Sequence, residues 1–432
     1  SAAATSRLEP GAMTTDDLSF LAELVAATTA ACRVPPGGEA LPGVRNDLGY
    51  SVYCPGGRGC YPAIWVQDFT MIFRGGYVSD ADGLNHLRLF LGCQNGPEGR
   101  ALRSGAWIPP HAIADHILLD GRPVFYPGTY SAGEDQGGEP WGIVPPVNNH
   151  YDVIWLAHML WSRCGDGAFL REEVNGLSVY ERLTLAYGAP STDAQTGLVV
   201  TTPEKRAVGF IFCDSIYMTG KLLMASLLRY RASRQLAELA RCLGCAGDAD
   251  FFGGEAARIA RHIPETFVCP GETGVWLRAC TGVSAQPDVW GSIYAVYMDV
   301  LPIDVAAAVR TELAAALQNG RIEEDGAIRH VPIGCDASEK SAWERTQTPH
   351  NRYQNGAFWH MPTGWLVAVL AQSQPELANA LATRFVKHMR DNAFTKGEAF
   401  GAPWECIGWN GEARQNPVFA ACITMPFAAL KE

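Results

Sequence analysis

Acidic side chains recur along this chain in segments that are also rich in aromatic residues and glycine. They belong to Asp68, Glu134, Asp135, Asp152, Asp214, Asp288, Glu344 and Glu405. Two carboxyl groups at one site can cleave a glycosidic bond, because a protonated one donates to the leaving oxygen while an ionised one activates water or attacks the sugar. The set is larger than a pair, as expected if some members only bind hydroxyl groups.

Three of these residues are the candidates for catalysis: Asp214, Glu405 and Asp288. Glu405 is flanked by Trp404 and Trp409, and an apolar setting raises a carboxyl pKa, which suits an acid better than a base. Each candidate also has an interpretation in which its role is only structural. Asp214 and Asp288 could cap helices, and Glu405 could form a loop salt bridge to Arg414.

Polar residues stand at the start of six apolar segments. These read WVQDF (65–69), NNHYD (148–152), FCDSIYM (212–218), QPDVWGSIY (286–294), YQNGAFWH (353–360) and ARQNP (413–417). Asp and Asn at helix starts cap free N–H groups and suit the positive end of the dipole. Six caps at one mouth would also ring a pocket with carboxylates and amides.

Two types of predicted helix alternate strictly, six times. One type is amphipathic, over roughly 15–32, 81–93, 167–187, 234–265, 302–319 and 375–393. The other is apolar on nearly every face, over roughly 67–78, 149–164, 213–231, 288–299, 356–372 and 416–430. A helix that is apolar on every face is buried, whereas an amphipathic helix has one face exposed to solvent. The alternation therefore predicts an all-α fold, an (α/α)6 barrel of six inner and six outer helices.

The segments near the predicted mouth supply candidate sugar-binding residues. We expect these to be Trp65, Asp68, Trp141, Asn149, His150, Asp152, Trp290, Asn355, His360 and Trp404. Residues 94–147 form a long connection that is rich in aromatics, and 108–130 within it suggest a small β-hairpin. A second long insert spans 321–354. Aromatic residues on such loops either stack on sugar faces or tether the loops to the barrel.

Composition limits the class of protein. The chain has 432 residues, 47% hydrophobic and 18% charged, with a formal net charge of -11. A negative chain without a basic cluster is a poor partner for nucleic acid, and no apolar run is long enough to predict a membrane span. We expect residues 1–13 to be a cloning remnant and 14–432 to form one domain. The 13 scattered cysteines favour free thiols in a reducing cytoplasm, although Cys54 and Cys60 could pair.

The segment WVQDF resembles the Trp-x-x-Asp segment that begins an early inner helix in glucoamylase-like and related six-hairpin glycosidases. In those enzymes this Asp holds sugar hydroxyls, which implies a binding role for Asp68 beside Trp65. The general acid of the family lies in the loop entering the third inner helix, and its general base lies before the last inner helix. The resemblance thus implies Asp214 as acid, Glu405 as base and inversion at the sugar.

The chain also departs from the family pattern. Gln67 stands where the family often has Arg, and Asp214 stands where the acid is often Glu. The segments QPDVWGSIYA (286–295) and YQNGAFWHMPTGW (353–365) resemble parts of bacterial six-hairpin proteins. Asp288 is the reserve candidate for the acid, and the roles of Asp214 and Glu405 could be exchanged.

The sequence predicts a glycoside hydrolase acting on an oligosaccharide, and other readings stay open. A polysaccharide lyase or sugar epimerase on the same barrel would use His150 and Tyr151, next to Asn148 and Asn149, to move a proton. A non-catalytic carbohydrate-binding barrel is a third reading, and an aromatic-lined terpenoid-type enzyme a fourth. No phosphate-binding loop, nucleophile elbow or zinc spacing occurs. We expect no cofactor and no obligatory metal, although a carboxylate-rich loop could bind calcium.

Overall fold

The computed structural model describes residues 13–209, 211–411 and 413–432. The expected remnant therefore lies outside the described residues, apart from Met13. Twelve α-helices occur in the described ranges: α1 (Thr15–Cys32), α2 (Val66–Arg74), α3 (Asp80–Gly92), α4 (Asn148–Cys164), α5 (Val179–Gly188), α6 (Leu223–Leu243), α7 (Ala246–Phe267), α8 (Val289–Tyr297), α9 (Ile303–Gln318), α10 (Thr363–Ala371), α11 (Pro375–Asn392) and α12 (Ala421–Leu430). Short 3₁₀ turns span Ala168–Arg171, Pro203–Lys205, Phe394–Lys396 and Trp409–Gly411.

The even-numbered helices form a closed inner ring. Each contacts the next in the order α2, α4, α6, α8, α10 and α12, and α12 returns to α2. The odd-numbered helices pack outside them. Burial follows this arrangement, since every residue of α8 from Val289 to Val296 is buried, whereas α1 buries one face that includes Leu21, Leu24 and Val25. The predicted (α/α)6 barrel is confirmed.

Some boundaries differ from the sequence-based expectation. The third inner helix is not 213–231 but α6, and the outer helix of that hairpin is α7 rather than 234–265. Gly244, with φ of 76°, ends α6 in the left-handed conformation, which glycine adopts without steric cost. The last two inner helices begin later than expected, at Thr363 and Ala421, because short strands and turns occupy the preceding residues.

Short β-strands lie at the ends of the barrel. Their bounds are β1 (Arg33–Val34), β2 (Glu39–Leu41), β3 (Val44–Arg45), β4 (Val52–Tyr53), β5 (Ile64–Trp65), β6 (Arg100–Ala101), β7 (Trp107–Ile108), β8 (His116–Ile117), β9 (Pro123–Val124), β10 (Glu173–Val174), β11 (Leu177–Ser178), β12 (Val200–Thr201), β13 (Gly220–Lys221), β14 (Val268–Pro270), β15 (Val275–Leu277), β16 (Glu323–Glu324), β17 (Ala327–Arg329), β18 (Phe358–Trp359), β19 (Trp404–Ile407) and β20 (Arg414–Pro417). The predicted hairpin is present as β8 and β9, and β8 also pairs with β5. Strands β16 to β20 form an antiparallel five-stranded sheet in chain order.

The expected ring of side-chain caps is largely wrong. Asp288 caps α8 by accepting a hydrogen bond from the Gly291 N–H at 3.0 Å. The other inner helices begin after Trp65, Val147, Leu222, Pro362 and Ala420, none of which makes a side-chain cap. The polar groups of the mouth instead come from the first turns of α2 and α4 and from the strands and loops before α6, α10 and α12.

All 13 cysteines are free thiols, including Cys54 and Cys60. Among the described helices none is both long and apolar enough to cross a membrane. The described residues also contain no group of three or more His, Cys, Asp or Glu side chains arranged to hold a metal ion.

Candidate active site

A cavity of about 540 Å³ lies at the end of the barrel where the inner helices begin. We call it the mouth cavity. Its walls contain four carboxyl groups, Asp68, Asp115, Asp214 and Glu405, and among the described residues that line it there is no Lys or Arg. Burial in this cavity raises the pKa values of three of them, Asp68, Asp214 and Glu405.

Glu405 is held at the mouth by the five-stranded sheet. Trp404 pairs with Pro417 and Cys406 with Gln415, so Glu405 stands opposite Asn416 across β19 and β20. Its Oε2 accepts hydrogen bonds from the Tyr61 hydroxyl at 2.8 Å and from the Asn416 side-chain amide. Burial raises the pKa of Glu405 to about 8, and the charge of Asp214 adds to the rise while these donors oppose it.

Asp214 lies in the loop before α6, and one of its oxygens is fixed by a neighbouring amide. The Gln354 Nε2 group donates to Oδ1 of Asp214. The Oε1 atom of Gln354 accepts from the Ser215 N–H at 2.8 Å and from its hydroxyl at 2.7 Å, which orients the amide. Burial raises the pKa of Asp214 to about 6. Because only Oδ1 is held by Gln354, the second oxygen can carry a proton.

Asp68 is a buried acceptor without a partner. It occupies the first turn of α2, and its Oδ1 makes no hydrogen bond. Burial, and then the charges of Glu405 and Asp115, raise its pKa well above the usual range. A buried carboxyl oxygen left unsatisfied is expected to bind a hydroxyl group of a ligand.

Aromatic side chains form one wall of the mouth cavity. Trp65 stacks on His116 with ring centroids 4.3 Å apart, as the pairing of β5 with β8 requires. Tyr130 meets the edge of Trp65 at 5.9 Å. Trp141 packs over Gly128, whose φ is 81° and where an added Cβ would lie 2.1 Å from the indole. The 94–147 connection thus contributes aromatic surface to the cavity.

Six of the residues expected from the sequence line the mouth cavity. They are Trp65, Asp68, Trp141, Asn149, Asp214 and Glu405. Their catalytic and binding roles remain predictions, but the fold does bring them together. The alternative pairing of Glu405 with Arg414 does not form, since Arg414 bonds to Asn392.

Asp288 and Trp290 do not line the cavity. Asp288 is buried beneath the start of α8 as its cap, and burial raises its pKa to about 7. Trp290 is 1% exposed and stacks on His330 at 3.5 Å. Both residues lie in the barrel interior, because α8 is apolar on every face and is therefore buried.

His150 and Asp152 lie behind the cavity wall. Both nitrogens of His150 bond to backbone, Nε2 to the Ile113 N–H and Nδ1 to the Val147 carbonyl, each at 3.1 Å. Asp152 is 2% exposed and pairs with Arg231 at 3.2 Å. Asp152 reaches the mouth only through Asn148, whose amide donates to it at 3.3 Å.

Asn355, His360 and Trp404 support loops. Asn355 accepts from the Ala342 N–H at 2.9 Å and donates to the Thr348 carbonyl at 2.8 Å, which fastens the 321–354 insert. His360 is buried, with Nε2 2.9 Å from the Asp325 carbonyl. Trp404 packs over Gly401 on the outer side of β19.

Sequence reasoning missed several polar residues of this site, among them Tyr61, Asp115, Tyr353 and Asn416. Tyr61, Tyr353 and Asn416 have φ of 53°, 47° and 49°, a region that non-glycine residues seldom occupy and that clusters at functional sites. Asp115 lies within the predicted hairpin, and Tyr353 and Asn416 lie in the segments 353–360 and 413–417 that the sequence singles out. Tyr61 had no such signal, and it contacts Glu405 only in the folded chain.

No protein-family model and no curated protein matches this sequence. Solved structures do match it in fold. A GH63 mannosylglycerate hydrolase from Thermus thermophilus in complex with glucose has a TM-score of 0.59 at 14% identity, covering 94% of this chain and 99% of that one. A glucoamylase from Saccharomycopsis fibuligera has a TM-score of 0.55 at 10% identity, covering 100% and 97%.

A GH78 rhamnosidase from a Bacillus species has a TM-score of 0.58 at 12% identity, covering 97% of this chain but 35% of that one. These three proteins are glycosidases by name. The chain therefore has the six-hairpin (α/α)6-barrel fold of glycosidases, in agreement with the resemblance read from WVQDF.

Proposed function

We propose that this protein is a glycoside hydrolase in which Asp214 and Glu405 act as the carboxyl pair. The observation that carries the proposal is that both groups line one cavity and both have raised pKa values, about 6 and about 8. Hydrolysis of a glycosidic bond needs a carboxyl group that keeps its proton near neutral pH. The fold of the structural neighbours supports the same class by analogy.

We assign Asp214 as the proton donor and Glu405 as the base. Glu405 accepts two hydrogen bonds on one oxygen, from Tyr61 and Asn416, and such donors favour the ionised form once a substrate is bound. Asp214 has one oxygen free of Gln354 and open to carry a proton. Because the pKa of Glu405 is about 8 and that of Asp214 about 6, the free pair carries its proton on Glu405 at neutral pH, so the assigned roles require the proton to be on Asp214 in the substrate complex.

The ring geometry favours an inverting reaction. Asp214 precedes α6 and Glu405 lies before α12, and these helices are opposite one another in the inner ring. Carboxyl groups that face each other across a cavity leave room for a water molecule between one of them and the sugar, as inversion requires. We therefore propose that water attacks on the side of Glu405 while Asp214 protonates the leaving oxygen.

The substrate is expected to be a neutral glycoside. The described residues that line the cavity include no Lys or Arg, so the charge of an anionic sugar ring would find no cation to pair with there. Asp68 would bind ring hydroxyls through its unpartnered Oδ1. Trp65, Tyr130 and Trp141 would contact the apolar faces of the sugar.

The lyase or epimerase alternative lacks support from the geometry. His150 and Tyr151 are buried and do not line the mouth cavity, so neither could reach a sugar bound there.

A panel of neutral oligosaccharides and aryl glycosides, with uronate-containing polymers included, tests the proposal. We expect release of sugar from at least one neutral glycoside. Products that absorb as unsaturated uronates would support a lyase instead. Binding of a sugar without turnover across the whole panel would favour a carbohydrate-binding barrel.

A further inference from the structure

His116 is a buried histidine directly behind the wall of the mouth cavity. It is 0% exposed, and it belongs to β8, where it stands opposite Trp65 of β5. The residue before it, Asp115, lines the cavity together with Trp65. One buried imidazole ring therefore lies next to two of the residues that a bound sugar would meet.

Both ring nitrogens of His116 approach oxygen atoms. Nε2 lies 2.9 Å from the Thr129 carbonyl oxygen, and Nδ1 lies 2.8 Å from Oδ2 of Asp115. A carbonyl oxygen can only accept, so Nε2 carries a proton. A distance of 2.8 Å between Nδ1 and a carboxyl oxygen requires a second proton between those two atoms. The pair therefore holds one proton more than a neutral imidazole beside a carboxylate.

The side chain of Asp115 is held at both of its oxygens. His116 bonds to Oδ2, and the Asn149 side-chain amide donates to Oδ1 at 3.3 Å. The backbone of Asp115 is fixed as well, since its N–H donates to the Val124 carbonyl at 2.9 Å. A carboxyl group can accept about four hydrogen bonds. Asp115 therefore keeps acceptor capacity for a hydroxyl group in the cavity that it lines.

The indole of Trp65 is supported by the same imidazole ring. The two rings are stacked, with their planes 14° apart and their centroids separated by 4.3 Å. Tyr130 packs against both rings at 5.9 Å from each centroid. An offset stack of this kind fixes the orientation of an aromatic side chain. The placement of Trp65 in the cavity wall therefore depends on His116.

Packing alone does not explain a histidine at this position. A phenylalanine would fill the same space and stack on the indole, but it would leave the Thr129 carbonyl and Oδ2 of Asp115 without their donor. His86 shows the contrast. It stacks on Phe69 at 3.6 Å and bonds through Nδ1 to a backbone carbonyl, while its Nε2 has no partner among the described residues.

We propose that His116 is a positioning residue of the sugar site. It holds Asp115 as an acceptor for a substrate hydroxyl group, and it holds Trp65 against the sugar ring. The inference rests on the proposed glycosidase function and adds two assignments to it, Asp115 as a hydroxyl-binding residue and His116 as the residue that places it. Because the shared proton is directed at Nδ1, the remaining lone pairs of Asp115 can only accept, so the group they recognise is a free hydroxyl.

Proton NMR of the free protein tests the arrangement around His116 without any substrate. We expect two ring-proton resonances that are protected from exchange with solvent, both of them absent from His116→Phe. His262, which pairs with Glu265 at 2.9 Å on the outer helix α7, provides the control, and His262→Phe should leave both resonances in place. A single protected ring proton in the wild-type protein would overturn the arrangement.

Steady-state kinetics on a glycoside that the panel identifies tests the role. His116→Phe keeps a ring behind Trp65 but removes both hydrogen bonds, so we expect KM to rise about tenfold while kcat stays within about twofold. Asp115→Asn should behave alike, and the double variant should be no worse than either, since both changes act on one contact. His262→Phe should change neither constant.

The two experiments separate this inference from the proposed hydrolysis. An unchanged KM in both His116→Phe and Asp115→Asn, a loss confined to kcat, or additive effects in the double variant would each overturn the positioning role while hydrolysis stands. If no glycoside is cleaved although both protected protons are present, the hydrolase proposal fails and the arrangement of His116 stands. The NMR result and Asp115→Asn decide the matter even if His116→Phe does not fold.

Discussion

Glu405 combines deep burial with two hydrogen-bond donors, and this combination sets the acid–base chemistry at the residue scale. Burial favours the neutral carboxylic acid, whereas the Tyr61 hydroxyl and the Asn416 amide favour the carboxylate. A bound sugar that displaces water and brings its own hydroxyl groups shifts this balance. The neighbours of Glu405 therefore influence the reaction by changing its pKa.

The activity of the free enzyme should follow a bell-shaped pH profile. Below the pKa of about 6 for Asp214 both carboxyl groups are protonated and no base is present, and above the pKa of about 8 for Glu405 both are ionised and no proton donor remains. We expect kcat/KM to be maximal between these values, with limbs that belong to the pair. A profile that is flat from pH 5 to 9 would contradict the assignment.

Removing the Tyr61 hydroxyl should move the upper limb of that profile. Tyr61→Phe deletes a donor to Glu405 at 2.8 Å, so the pKa of Glu405 should rise further and the alkaline limb should move to higher pH. If Glu405 is the base, we expect kcat/KM near neutral pH to fall about tenfold. Tyr77→Phe, at an exposed position outside the mouth cavity, is the control and should change neither quantity.

Leaving-group chemistry distinguishes the acid from the base. The dinitrophenolate group of an activated aryl glycoside leaves without being protonated. Asp214→Asn should therefore keep most of its activity on that substrate while losing it on an unactivated glycoside. Glu405→Gln should be inactive on both, since water still needs a base. The reverse pattern would exchange the two roles.

At the scale of elements, a buried guanidinium helps to hold the 321–354 insert. Arg329 on β17 is 1% exposed, donates to the Gly356 and Val331 carbonyls at 3.0 and 2.8 Å, and pairs with Asp336 at 2.6 Å. This clamp lies beside the segment that carries Tyr353 and Gln354. Its loss should loosen the support of Asp214.

We expect Arg329→Met to lower the free energy of unfolding by about 3 kcal/mol, because two carbonyl groups and the Asn351 side-chain oxygen lose their donor and Asp336 keeps only His350 as a partner. Lys387→Met breaks a surface pair with Asp391 whose side chains are 73% and 55% exposed, and it should leave the free energy of unfolding close to that of wild type. Chemical denaturation of both variants measures the difference. Equal stability of the two would show that the clamp is dispensable.

The helices were predictable, whereas the strands that complete the site were not. The amphipathic pattern predicted α1 at its observed bounds, and the alternation of amphipathic and apolar segments predicted the order of the other helices but misplaced the starts of α5, α6, α7, α10 and α12. Strands β18 and β20 have two and four residues, too short for a periodic signal, and the predicted helices covered β18 and the end of β20. Asp214 and Glu405 could be selected from their segments, but Tyr61, Tyr353 and Asn416 depend on backbone geometry that no local pattern encodes.

At the scale of the whole molecule, closure of the helix ring brings into one cavity two carboxyl groups that are far apart in the chain. Asp214 precedes α6 and Glu405 precedes α12, two helices that lie opposite one another in the inner ring, so neither hairpin alone supplies both groups. Such an arrangement should give inversion. We expect proton NMR during the first minutes of hydrolysis to detect the anomer opposite to that of the substrate, whereas retention would require a closer carboxyl pair.

The most direct test of the central claim is kcat/KM for Asp214→Asn and Glu405→Gln on the neutral, unactivated glycoside that the panel identifies. Glu134→Gln, which neutralises an exposed carboxyl group outside the mouth cavity, is the matched control. We expect each of the first two substitutions to lower kcat/KM at least about a hundredfold, with the control close to wild type. Near-wild-type activity of either Asp214→Asn or Glu405→Gln would contradict the carboxyl pair on which the account depends.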